Sequence, residues 1–75
     1  MVFVPNRKTA IAIAEAVLVP VYGEENIKSE EPFSATLDGD TWWVRGSLPK
    51  GFVGGVAEIE ISKSKGCILQ MVHGK

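Results

Sequence analysis

The apolar residues change period once along this chain, and that change narrows the fold more than any other feature. Ala10, Ile13, Ala14, Val17, Leu18 and Val21 recur with helical spacing. From Phe33 onward the apolar residues alternate instead, with the two-residue period of a half-buried strand. A helix followed by strands, with no second helix between them, predicts an α+β domain rather than a parallel α/β one. The helix is expected over Asn6 to Val19. Asn6 is a good N-cap, because its side-chain oxygen can accept from an orphan N–H of the first turn. Pro20 lacks an N–H and should stop or kink the helix, and Gly23 supplies the C-terminal punctuation. Arg7 and Lys8 sit at the positive end of the helix dipole, where cations are unfavourable. Glu24 to Glu31 is polar, with Ile27 as its one apolar anchor.

Phe33, Ala35 and Leu37 form one face of a first strand, and Asp38-Gly39-Asp40 is a hairpin turn signal. In the second strand Trp42, Val44 and Gly46 alternate with Trp43, Arg45 and Ser47. Pro49, Gly51, Gly54 and Gly55 mark a longer connection. Then Ala57, Ile59 and Ile61 point one way while Val56, Glu58 and Glu60 point the other. Ser62 to Gly66 is a turn, and Cys67 to Val72 is the last strand. The expectation is a single domain over residues 1–75: one N-terminal helix packed on a four-stranded antiparallel meander, whose apolar face the helix covers. The expected core is Ala10, Ile13, Ala14, Val17, Leu18, Phe33, Leu37, Trp42, Val44, Ile59, Ile61 and Leu69.

The chain has 75 residues, with 8 Lys+Arg against 9 Asp+Glu and a formal net charge of -1. That balance argues against nucleic acid and against an anionic membrane surface as partners, since both select a basic excess. The longest apolar run, Ala10 to Tyr22, is interrupted by Glu15 and Pro20 and is too short to cross a bilayer. The N-terminus has neither a basic n-region nor a full h-region. The chain as it stands therefore reads as cytoplasmic, and as periplasmic if a signal has been trimmed. A domain this short buries only about 60–65% of its unfolded surface. With one cysteine it has no disulfide to add stability. A two-fold homodimer is expected on that ground, with short sheet edges available for pairing.

Little in the sequence points to catalysis. His73 is the only histidine, and it reads as an exposed residue of a frayed terminus. Cys67 reads as a small hydrophobe of a strand. Glu58 and Glu60 share a strand face, where a polar sheet surface explains them as well as acid–base chemistry does. Gly54-Gly55 is followed by no Lys-Ser/Thr and no helix, so it is not a phosphate loop. No catalytic residue, metal site or cofactor is expected. Adjacent Trp42 and Trp43, by contrast, must point to opposite faces of a strand. Trp42 shares parity with Val44 and belongs to the core. Trp43 then stands outside beside Arg45, near Glu58 and Glu60 once the strands pair. Trp and Arg are the residue types most enriched among binding hot spots. The expected partner-binding residues are Trp43, Arg45, Glu58 and Glu60. The acidic residues Glu24, Glu25, Glu30 and Glu31 form a second candidate surface for a basic partner.

Three blocks of the chain also resemble a known family. The first is Thr9-Ala10-Ile11-Ala12-Ile13-Ala14-Glu15-Ala16-Val17-Leu18 with Pro20-Val21-Tyr22-Gly23-Glu24. The second is Trp42-Trp43-Val44-Arg45-Gly46-Ser47-Leu48-Pro49-Lys50-Gly51 with Gly54-Gly55-Val56-Ala57-Glu58-Ile59-Glu60-Ile61. The third is Lys65-Gly66-Cys67-Ile68-Leu69 with His73-Gly74-Lys75. In this order they look like the bacterial immunity proteins of the nuclear transport factor 2 fold, a cystatin-like α+β class. The resemblance spans nearly the whole chain, from about Val4 to the end. It implies a protein that binds and neutralises a cognate toxin in interbacterial competition, without catalytic residues of its own. The chain is shorter than a full fold of that class, which implies an abbreviated sheet and fewer helices. A small cystatin-like peptidase inhibitor or a small ligand-binding protein are the alternative readings at this level.

Overall fold

The computed structural model describes residues 2–48 and 55–74. Helices α1 (Arg7–Tyr22) and α2 (Glu24–Lys28) precede strands β1 (Ser34–Asp38), β2 (Thr41–Arg45), β3 (Ala57–Ser62) and β4 (Ile68–His73). The strands form one antiparallel sheet in the order β1-β2-β3-β4, and α1 packs across β1, β2 and β3. This is the expected α+β meander. The connection expected at Pro49, Gly51 and Gly54 lies outside the described residues.

The N-cap is as expected: Asn6 Oδ1 accepts from both the backbone N–H and the hydroxyl of Thr9, each at 2.9 Å. The far end differs. Helix α1 runs through Pro20 to Tyr22. Proline inside a helix forfeits one hydrogen bond. Here the turn that follows is held by Gly23, whose N–H donates to Val19 O at 2.8 Å from a φ of +94°, a backbone conformation that glycine adopts at little cost. The polar segment after Gly23 is not a loop but α2, anchored as expected by Ile27 at 1% exposure. Arg7, unfavourable to the dipole, has a structural role: its Nε donates to Ala35 O of β1 at 3.2 Å.

The inner face of α1 is the stripe Ala10, Ala14 and Leu18, all fully buried. Two alanines on that stripe let the helix axis approach the sheet closely, and Leu18 fills the space beyond them. Ile13 and Val17 flank the core as partly buried residues, while Val21 is exposed. From the sheet, Ala35, Trp42, Val44, Ala57, Ile59 and Ile61 point inward, with Phe33 closing one end.

Two core expectations are corrected. Leu37 and Leu69 are 39% and 52% exposed. Leu37 lies near the β1–β2 turn on an edge strand. Leu69 falls at the irregularity where Ile61 pairs with Ile68 while Glu60 pairs with Gln70, so one extra residue of β4 bulges out of the ladder. Val4 takes part in the core unexpectedly. Its N–H donates to Lys63 O at 3.0 Å, and its carbonyl accepts from Trp42 Nε1 at 2.8 Å. Val56, expected beside Glu58 and Glu60, is 4% exposed because it precedes β3 and escapes its alternation. The last strand begins at Ile68 rather than Cys67, and Cys67 is exposed in the turn.

The two hairpin turns are tied together. Asp40, between β1 and β2, accepts from Ser62 Oγ, Ser64 N and Ser64 Oγ at 3.0, 3.1 and 2.7 Å. These bonds, led by the Ser64 hydroxyl, hold the Asp40 carboxyl below its ordinary pKa. Gly39 and Gly66 supply the positive φ of the turns, at +62° and +75°.

Candidate partner-binding face

Strand register decides which side chains share the outer face of the sheet. Trp43 lies opposite Thr36 on β1 and Glu60 on β3, and Glu60 lies opposite Gln70 on β4. In the neighbouring row Arg45 lies between Ser34 and Glu58, and Glu58 lies opposite Val72. Directly opposed residues on antiparallel strands share a face, so Trp43, Arg45, Glu58 and Glu60 form one contiguous group, as the alternation implied. Trp43 is 44% exposed, Arg45 is exposed, and both glutamates are half-buried. Arg45 and Glu58 are paired in register but do not form an ion pair. Among the described residues neither side chain has another ionic partner. No described helix covers this face, because α1 and α2 occupy the other side.

The acidic segment does not act as one surface. Glu24 and Glu25 are exposed in the first turn of α2, and Glu24 meets Lys28 at 3.7 Å with both side chains 69% exposed. An exposed pair of that kind contributes little to stability. Glu31 is exposed and faces Glu15 of α1 across a cleft of about 460 Å³ lined also by Ile11, Pro32 and Phe33. Partial burial, then the nearby Glu31 carboxyl, raises the Glu15 pKa above its ordinary value.

Glu30 leaves the expected patch altogether. It is 7% exposed and turned into the molecule, where Oε1 accepts from Ala57 N at 2.6 Å and Oε2 lies 2.8 Å from His73 Nε2. Its main-chain carbonyl accepts from Ser47 N at 2.7 Å. His73 is accordingly not a frayed terminal residue. It lies in β4 opposite Ala57, its ring is 5.0 Å from that of Tyr22, and Nδ1 is 2.8 Å from Gly74 O. The hydrogen bond to Glu30, then the one to Gly74 O, raise its pKa above the ordinary value. Tyr22, Asn26, Ser29, Glu30 and His73 line a cleft of about 320 Å³.

Sequence spacing had no means of pairing residues 30 and 73, which are 43 positions apart. Gly46 leaves room for the pair, since an added Cβ there would come within 2.7 Å of Glu30 Oε1. Both ring nitrogens of His73 are thus set against oxygen acceptors. Among the described residues no three His, Cys, Asp or Glu side chains come together as a metal site, and no helix is long and apolar enough to cross a membrane.

These features define a small α+β domain with one sheet face packed under helices and the other presenting an aromatic and ionic surface. A model of the family described as NTF2 fold immunity protein (Imm-NTF2-2) matches residues 9–75, and the chain belongs to that family. It is 40% identical over 73 residues to uncharacterized protein YbbC of Escherichia coli strain K12, covering 96% of this chain and 60% of that protein. It is 36% identical over 73 residues to uncharacterized protein YhhH of the same strain, covering 96% of this chain and 58% of that protein. The chain thus spans about 60% of the length of these curated relatives. No solved structure matches it.

Proposed function

We propose that this chain is an immunity protein that binds a cognate bacterial protein toxin and neutralises it by occlusion, without chemistry of its own. The observation that carries the proposal is the open sheet face, where Trp43 stands 44% exposed in register with Glu60 and beside Arg45 and Glu58. A tryptophan left half in water contributes its full apolar area only when a partner covers it. The flanking charges add orientation and discrimination between partners. Family membership supplies the class of partner.

Co-expression with a candidate toxin from the source bacterium tests the proposal. Survival of the host and a stoichiometric complex of the two purified proteins are expected. Unimpaired killing with no complex would overturn it.

The chain also carries a surface suited to self-association. β4 contains no charged Asp, Glu, Lys or Arg residue, and Ile68, Leu69 and Val72 are exposed on it. An edge strand free of Asp, Glu, Lys and Arg invites antiparallel pairing with a second copy. Light scattering at high micromolar concentration should report a dimer, and a monomer at all concentrations would rule the pairing out.

A further inference from the structure

We propose that Glu30 and His73 form a proton-controlled latch that holds the C-terminal end of β4 against the corner between α2 and β1. Four separate stretches of sequence meet at Glu30. Its own N–H donates to Ile27 O at 3.1 Å and fixes it to the end of α2. The residue after β2, Ser47, donates to its carbonyl. The first residue of β3, Ala57, donates to Oε1, and the last residue of β4, His73, lies against Oε2. Gly46 leaves room for the carboxylate, since a Cβ there would lie 2.7 Å from Oε1 and 2.8 Å from the Glu30 Cβ.

The imidazole has one fully satisfied protonation state. Nε2 faces a carboxylate oxygen and Nδ1 faces the Gly74 carbonyl, each at 2.8 Å. Oxygen acceptors on both sides require a donor on both nitrogens, which only the imidazolium provides. Loss of one proton leaves one of the two contacts as an acceptor facing an acceptor. The other described neighbours of the ring carry no charge. Tyr22 of α1 brings a phenol, and Asn26 of α2 and its C-cap Ser29 bring neutral groups. Among the described residues Glu30 is the one ionic partner of the ring. The His73 side chain retains 29% of its surface and that of Glu30 9%, so the proton exchanges with solvent while the carboxylate stays inside.

The linkage has a definite sign. A histidine titrating above its ordinary 6.5 stabilises the fold fully below that pH, and the contribution disappears as the pH rises through the raised value. The latched end then loosens first. Gly74, which donates to Val56 O at 3.2 Å, marks the strand end that would open.

His73 is the sole histidine, so its ring proton resonances can be assigned without ambiguity. The test is an NMR pH titration of the intact chain and of Glu30→Gln, with amide exchange of Gly74 read beside that of β1 and β2. In the unmodified chain His73 should titrate above 6.5. Exchange at Gly74 should accelerate through that same pH beyond the ordinary base-catalysed rise, while β1 and β2 follow the ordinary rise. In Glu30→Gln the titration should fall toward the ordinary value. Should that variant not fold, the unmodified chain decides alone. A His73 titration at or below 6.5, or Gly74 exchange that tracks β1 and β2 throughout, would overturn the latch.

Discussion

Glu30 shows how far one side chain can depart from what its neighbours in sequence suggest. It stands in an acidic run that reads as solvated surface, yet it is 7% exposed and carries bonds from three strands' worth of chain. Its place depends on a missing side chain elsewhere. Gly46→Ala should force the carboxylate out and cost about 1–3 kcal/mol, the usual range for overpacking a filled site. Chemical denaturation would measure this, and a variant as stable as the parent would show that Glu30 relaxes without loss. Glu15 is a separate case. Its pKa is raised, so its charged form is disfavoured in the fold. Its contribution is favourable below the unfolded value of 4.5 and is lost as the pH rises through the folded one. Glu15→Gln should therefore raise the melting temperature at pH 7 and change little at pH 4. A fall at neutral pH would mean that the Glu15 carboxylate makes a favourable contact instead.

At the scale of elements, the strands and the first helix were legible because each follows a single period. Trp42, Val44, Ile59 and Ile61 alternate without interruption and all are buried. Where a rule of local chemistry competed with packing, packing prevailed. Pro20 lies inside α1, because the buried stripe up to Leu18 and the Gly23 cap together outweigh one lost hydrogen bond. Leu69 alternates correctly in sequence but sits at a bulge, which no pattern of apolar residues announces. Val4 was illegible for a different reason: it belongs to no element and is buried by hydrogen bonds to Lys63 and Trp42. The α1 stripe gives the sharpest test at this scale. Leu18 is fully buried, so Leu18→Ala should cost about 2–5 kcal/mol. For a domain whose whole stability is of the order of 5 kcal/mol, that loss should leave much of the chain unfolded in circular dichroism. An unchanged melting temperature would contradict the packing of α1 on the sheet.

Seen whole, the molecule divides its sheet into two unlike faces. One is closed by α1, α2 and the N-terminal Val4, and the other keeps Trp43, Arg45, Glu58 and Glu60 together without a described helix above them. That grouping was legible in the sequence, since adjacent tryptophans in a strand cannot share a side. The hub at Glu30 and His73 was not, since it depends on contacts between distant parts of the chain. The connection expected over residues 50–55, a further candidate surface on sequence grounds, falls almost wholly outside the described residues. Family membership directs attention to a toxin as partner, and the face with the exposed tryptophan is where contact is proposed. The most direct measurement is the dissociation constant of the cognate toxin for Trp43→Ala, with folding verified by circular dichroism. Trp43 lies outside the core, so the variant should fold. Its affinity should fall by about thirtyfold or more, equivalent to about 2 kcal/mol for an interface anchor. A folded Trp43→Ala protein that binds the toxin and protects the host as well as the parent would contradict the assignment of this face.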